Sequence, residues 1–99
     1  MSIRYNTREK ENFMVVEFEL EGGIIAPQEL AQAIELAPAV PAGKGVIISG
    51  RGPVWLFATL VHHYHIAAFV ATYDPRQNGA VVVESHTKSV AVGDIIPIN

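Results

Sequence analysis

The sequence predicts an α+β domain in which two helices pack on one mixed sheet, with its elements in the order ββαβαββ. Three observations carry this expectation. Phe13–Leu20 alternates apolar and polar residues with the period of two that marks a strand. Two stretches rich in helix formers each follow a proline, Pro27 and Pro53. Short apolar runs, Val46-Ile47-Ile48 and Phe69-Val70-Ala71, stand where the chain returns from each of those stretches. Strand–helix–strand repeated in this way gives two crossovers, each expected to be right-handed. The arrangement is that of a ferredoxin-like two-layer sandwich. At 99 residues the chain is expected to form a single domain, 1–99.

Taken in order, Ile3-Arg4-Tyr5 is expected to be the first arm of a hairpin whose turn is Arg8-Glu9-Lys10-Glu11-Asn12. In the second arm Phe13, Val15, Glu17 and Glu19 face one way, and Met14, Val16, Phe18 and Leu20 the other. Pro27-Gln28-Glu29-Leu30 opens the first helix, with Leu30, Ala33 and Ile34 on its buried face, and Pro38 and Pro41 end it. Gly45 to Ser49 forms the next strand. The second helix is expected from Pro53 to about His65 and is apolar nearly all round, which points to a covering neighbour. Phe69–Tyr73, a turn at Asp74–Gly79 and Ala80–Ser85 make a second hairpin, and Ile95–Ile98 a short edge strand.

Composition narrows the function. Apolar residues make up 49% of the chain, more than so small a domain readily hides, so a homodimer is expected. There is no apolar run long enough to span a bilayer and no apolar leader at Met1-Ser2-Ile3-Arg4, so no membrane partner and a cytoplasmic location are expected. With no cysteine, thiolate and disulfide chemistry are excluded, and a metal would be held by His, Asp or Glu. A net charge of −3 argues against generic nucleic-acid binding, and no DNA partner is expected. Charge is nevertheless uneven. Between Glu35 and Asp74 there is no carboxylate, only Lys44, Arg51 and three histidines. That stretch favours an anionic ligand, although a buried core would produce the same pattern.

The most informative motif is Ser49-Gly50-Arg51-Gly52-Pro53-Val54-Trp55, directly after Val46-Ile47-Ile48. A strand ends, two glycines turn the backbone, and Pro53 takes the first helical position. The free N–H groups of that turn and the positive end of the helix dipole, with Arg51 beside them, form a seat for phosphate or carboxylate. This is no standard nucleotide fingerprint: Trp55 stands where a G-x-G-x-x-G needs its third glycine, and no Gly-Lys-Ser/Thr triplet exists.

His62 and His65, three apart on a helix, share one side and could hold a divalent metal or move protons. Histidines in a last turn also complement the helix dipole with no further role. His63 points elsewhere. Asp74 could simply start a turn before Pro75. If their strands are parallel, however, Asp74 and Arg76 share an edge with Ser49, Gly50 and Arg51, where ligands of open α/β sheets bind. Arg51 and Arg76 suit phosphate through bidentate bonding, or are solvated surface arginines. His86 ends a strand and would otherwise be a surface histidine.

Taken together, Ser49-Gly50-Arg51-Gly52-Pro53 with Trp55-Leu56, His62, Tyr64-His65, Tyr73-Asp74-Pro75-Arg76, Gly79–Val83 and Ser85-His86 resembles the small CRISPR-associated ring nucleases of type III systems. That family was earlier described as manganese-dependent RNA exonucleases. The likeness runs from about position 13 to 95. It implies a ferredoxin-like dimer that binds and cleaves cyclic tetraadenylate, the second messenger of the antiviral response. It also implies ligand binding by Ser49, Gly50, Arg51, Gly52 and Arg76, catalysis by His65, Asp74 and His86, and a manganese ion (Mn2+) held by His62, His65 and His86. Two departures stand out. The turn after Arg76 is one residue longer, through Gln77-Asn78, and Ile66-Ala67-Ala68 replaces a polar residue and a proline.

The element order adds a geometric expectation. The second helix and the last hairpin strand both lead away from the Arg51 edge, so His62, His65 and His86 should gather at the far end of the subunit. A site using both groups would then form between stacked dimers. Alternative readings are a manganese-dependent 3′ exonuclease on adenosine-rich RNA, a non-catalytic sensor of cyclic oligoadenylate, and a purely structural dimerisation module.

Overall fold

The computed structural model describes residues 2–98. Six strands form one sheet in the order β1 to β6: β1 Ile3–Glu9, β2 Phe13–Leu20, β3 Gly45–Ser49, β4 Phe69–Asp74, β5 Gly79–Ser85 and β6 Ile95–Ile96. The three central strands β2, β3 and β4 run parallel, and hairpins add an antiparallel strand on each side. Two helices, α1 Leu30–Leu36 and α2 Val54–His63, supply the crossovers. The result is the expected small α+β arrangement, a six-stranded mixed sheet with two helices, compatible with a ferredoxin-like sandwich. Among the described residues, no helix is long and apolar enough to cross a membrane.

The alternation of β2 divides the protein into two cores. Met14, Val16, Phe18 and Leu20 join Val46, Ile48 and Val70 under the helices, where Ala33, Leu56, Leu60 and Tyr64 meet them. Val15 joins Ile47, Phe69, Ala71, Ala80 and Val82 on the opposite face. Among the described residues no helix covers that second face. Val90, Ile96 and Ile98 of the C-terminal segment pack there instead. The segment is held by Gly93 N–H donating to Val82 O and Val82 N–H donating to Asp94 O, and by the Ser85 hydroxyl donating to Val90 O.

Several boundaries differ from the sequence expectation. β1 continues through Thr7, Arg8 and Glu9, opposite Val16, Val15 and Met14, so the hairpin turn shrinks to 10–12. Backbone pairing along β2 outweighs the polar character of those residues. β6 covers only Ile95–Ile96, although Ile98 still packs on the second core. α1 begins one 3-10 turn after Pro27, where Glu29 accepts a bond from the Ala26 N–H at 2.8 Å and another from the Ser2 hydroxyl. Of the expected buried face of α1, Ala33 is fully buried while Leu30 and Ile34 are half-buried. α2 starts one residue later than expected: Pro53 is its extended N-cap (φ −70°, ψ 156°) rather than its first helical residue. The helix closes at His63, and 64–66 form a turn.

Candidate functional site

Parallel β3 and β4 both end at one edge of the sheet, and the segments leaving those two strand ends build the first half of the site. After Ser49 the backbone must turn over Phe18. A Cβ on Gly50 would stand 2.7 Å from the Phe18 carbonyl oxygen, and one on Gly52 would stand 2.8 Å from the Phe18 ring. Gly50 also has φ 150°, a conformation that L side chains rarely adopt. The two glycines are therefore required by what lies beneath them. They leave Arg51 exposed and deliver the chain to α2, whose first turn has no side-chain cap. Its first N–H groups remain available to an anion, as the helix dipole favours.

Register brings the other candidates to the same edge. Ile48 pairs with Thr72, so Ser49 lies beside Tyr73, and the ends carrying Gly50 and Asp74 are neighbours. Asp74 accepts the Arg76 N–H at 3.0 Å, capping the short 3-10 turn Pro75–Gln77, and Arg76 Nε lies 3.5 Å from the same oxygen. The Arg76 side chain is 89% exposed, so this ion pair adds little stability and leaves the guanidinium open to a ligand. Asn78 closes that turn in the left-handed region (φ 53°).

The histidines lie at the other end. α2 carries His62 away from Arg51, His65 lies not on the helix as expected but in the turn that follows it, and β5 descends from Gly79, opposite Asp74, to Ser85, opposite Phe69. His86 N–H donates to Ala68 O, and Ala68 N–H donates to Lys44 O, so this group sits where β3 and β4 begin. The structure brings the three histidines together through the backbone. His86 Nε2 lies 2.8 Å from the carbonyl oxygen of His65, and His65 Nδ1 lies 2.9 Å from that of His62. The rings of His62 and His65 stack at 5.5 Å. His63 instead packs against Tyr64.

A carbonyl oxygen can only accept, so each of these two nitrogens carries a proton. In the neutral ring, His65 Nε2 and His86 Nδ1 are the nitrogens that keep a lone pair, oriented by the backbone bond at the other nitrogen in the manner of metal ligands or general bases. Sequence reasoning missed Glu84, whose Oε1 lies 3.9 Å from His86 Nε2 and is buried with no hydrogen-bond partner among the described residues. The signal was present: Glu84 is the one carboxylate in an otherwise apolar strand, two residues before His86. Even so, among the described residues no three His, Asp or Glu side chains converge as a metal requires. His62, His65 and His86 of a single chain therefore do not fit a manganese ion without further ligands. Ser49, Gly50, Arg51, Gly52, Asp74 and Arg76 lie on one edge and the histidines on the other, with the whole length of α2 between them.

Sequence reasoning also missed the polar side chains that β1 and β2 bring beside the arginine edge. One cleft there, of about 370 Å³, is lined by Asn6, Glu17, Gly50 and Arg51 among others. A second, of about 260 Å³, is lined by Arg8, Glu17, Ser49, Tyr73, Asn78 and Ile98.

Comparison with known proteins bears on the family of the chain. A family model described as "CRISPR-associated protein (Cas_csx3)" matches residues 17–97. An uncharacterized protein of Aquifex aeolicus (strain VF5) is 37% identical over 98 residues, an alignment covering 95% of this chain and 86% of the relative.

Proposed function

From the premise that this chain belongs to the CRISPR-associated Cas_csx3 family, we propose that it is a ring nuclease, a phosphodiesterase that opens cyclic tetraadenylate. The observation that carries the proposal is the division of the chain into an anion-seating edge and a histidine pole. A cyclic tetranucleotide has two-fold symmetry and four phosphates. The Ser49–Pro53 turn, the uncapped start of α2 and the guanidinium groups of Arg51 and Arg76 suit one of those phosphates, most of all as charge builds in the transition state. His65 and His86, each with one nitrogen tied to the backbone and the other free, suit proton transfer at the scissile bond.

Because the two groups lie at opposite ends, the working site is shared. One dimer holds the ring on its axis with Ser49, Arg51, Asp74 and Arg76, and a stacked neighbour presents His62, His65 and His86. Exposed Val54 (82%) beside the arginine edge and exposed Ile66 (84%) beside the histidines are apolar residues that such stacking would cover. Manganese would need ligands beyond one chain, for which Asp74 of a neighbour has the right chemistry.

The test is to incubate the protein with cyclic tetraadenylate, with and without manganese, and to identify products by mass spectrometry. Linear products appearing with the protein support the reading. A terminal 2′,3′-cyclic phosphate would assign the attack to the adjacent ribose hydroxyl. Binding without any turnover under either condition would make the chain a sensor instead. Preference for linear oligoadenylate over the ring at matched salt would make it an exonuclease.

A further inference from the structure

Four polar side chains stand in a line across the sheet beside the arginine edge. Asn6 pairs with Glu17 across β1 and β2, and Glu17 pairs with Ser49 across β2 and β3. The register of β3 with β4 extends the line by one strand to Tyr73. By strand alternation all four belong to the face of Val15, Ile47 and Ala71, which form the first apolar row beneath them. The two clefts of about 370 and 260 Å³ flank this line, and Glu17 lines both. Among the described residues, none of the four side chains makes a hydrogen bond or ion pair, and neither Arg8 nor Arg51 pairs with Glu17.

Glu17 is out of place in a site that serves only to hold phosphate. An exposed carboxylate accepts hydrogen bonds and repels anions. What it can receive from an RNA ligand is an N–H or O–H donor. We propose that the row Asn6–Glu17–Ser49–Tyr73 reads the nucleobase of a ligand whose phosphates lie on the neighbouring arginines, and that Glu17 selects adenine through its exocyclic amino group. This rests on the functional reading above and adds to it the source of base choice.

The chemistry is asymmetric. Adenine presents an amino group where hypoxanthine and guanine present a carbonyl oxygen. A carboxylate held opposite position 6 pairs with the first and faces an acceptor in the others, whose N1–H donor it would meet only by shifting along the base edge. Because Glu17 is exposed, the discrimination it supplies is that of a single base-edge contact rather than of a buried pocket. Asn6, with one donor and one acceptor, can bond the neighbouring edge of the same base. Tyr73 offers a ring face for stacking, which every base can use, so it supplies affinity without choice.

The experiment is equilibrium binding at one fixed salt concentration, with cyclic tetraadenylate, its inosine counterpart and linear 2′-deoxy and ribose tetraadenylates as probes. Wild type should prefer the adenosine ring over the inosine ring by about tenfold or more. Glu17→Gln keeps the shape but adds an amide donor that can meet a carbonyl. It should bring the two rings to within about threefold, mainly by tightening inosine. Tyr73→Ala should weaken both rings equally. Circular dichroism establishes that each variant is folded. Equal binding of the two rings by wild type, or an unchanged preference in Glu17→Gln, overturns the inference and leaves the proposed function standing. A Glu17→Gln effect confined to the deoxy–ribose comparison also overturns it, assigning Glu17 to the ribose. Wild type that binds none of the probes overturns the functional reading and this inference with it.

Discussion

His86 donates its Nε2 proton to the carbonyl oxygen of His65 across 2.8 Å, tying the end of β5 to the turn that follows α2. Two segments 21 residues apart are thereby fixed so that each presents one free imidazole nitrogen. If those nitrogens move protons in the reaction, removing either ring should lower turnover of cyclic tetraadenylate by about 10²–10⁴-fold. Binding of the ring to His65→Ala or His86→Ala should change little, because the phosphate seat is at the other end. His63→Ala is the control, since its ring lies against Tyr64 instead. Single-turnover rates and separately measured affinities check this. Equal losses in all three variants would mean that the histidines only support the fold.

Arg51 should show the complementary behaviour. Replacing it with alanine removes a charge-assisted bond worth about 1.5–3 kcal/mol, so affinity for the ring should fall by roughly 10- to 100-fold. Loss of one phosphate contact should also reduce the slope of log affinity against log salt by about 0.7. A salt series on wild type and Arg51→Ala measures both. An unchanged slope would remove Arg51 from the phosphate contacts.

A shared site makes these two defects complementary. α2 has 10 residues and is about 15 Å long, which separates Arg51 from His65 within one chain. Mixing Arg51→Ala with His65→Ala protein, each impaired alone at ring concentrations too low to saturate Arg51→Ala, should give more turnover than the two separately, with a gain that rises with total concentration, because some neighbours then combine an intact arginine with an intact histidine. A mixture that gains nothing over the separate variants at any concentration would count against a shared site.

How much of this was legible in the sequence depended on distance along the chain. The alternation of Phe13–Leu20 gave the two faces of β2 correctly, and Gly45–Ser49 was recognisable from its apolar run, because both signals are local. The opposed placement of Arg51 and the histidines followed from element order alone. The line of Asn6, Glu17, Ser49 and Tyr73 was not legible, because it depends on the register of four strands drawn from positions 6 to 73. Nor was the cover of the second face by Val90, Ile96 and Ile98, since that segment has little regular structure to announce it. The role of Pro53 was misplaced by one residue, a difference that only the cap geometry resolves.

The glycines of the anion seat can be tested for stability apart from function. A methyl group at position 50 meets the Phe18 carbonyl oxygen at 2.7 Å, a backbone atom that cannot swing aside. Gly50→Ala should therefore cost about 1–3 kcal/mol. For a domain of this size each kcal/mol lowers the melting temperature by about 4–8 °C. Gly43→Ala is the comparison: it shares a positive φ, 83°, but has nothing within 4 Å of the added carbon. Urea unfolding of both variants separates the steric contact from backbone strain. Equal destabilisation would show that Phe18 yields freely.

Two tyrosines make stability sensitive to alkali. Tyr5 donates to the Ala33 carbonyl at 2.7 Å, and Tyr64 donates to the Pro38 carbonyl at 2.6 Å, so both anchor α1 and the loop behind it. Burial pushes the Tyr5 hydroxyl up to about 12, and burial, with Tyr5 nearby, raises Tyr64 further. The folded protein thus holds both groups in the neutral form, which can donate, more strongly than the unfolded chain does. Their contribution is complete below the unfolded value of about 10 and is lost as pH climbs towards the folded values. The urea midpoint of wild type should fall across that window. The double variant Tyr5→Phe/Tyr64→Phe should be less stable at neutral pH by about 1 kcal/mol per lost bond. Its decline above about pH 10 should be shallower, because no buried phenol remains to ionise. Parallel curves for the two proteins would mean that other groups carry the alkaline transition.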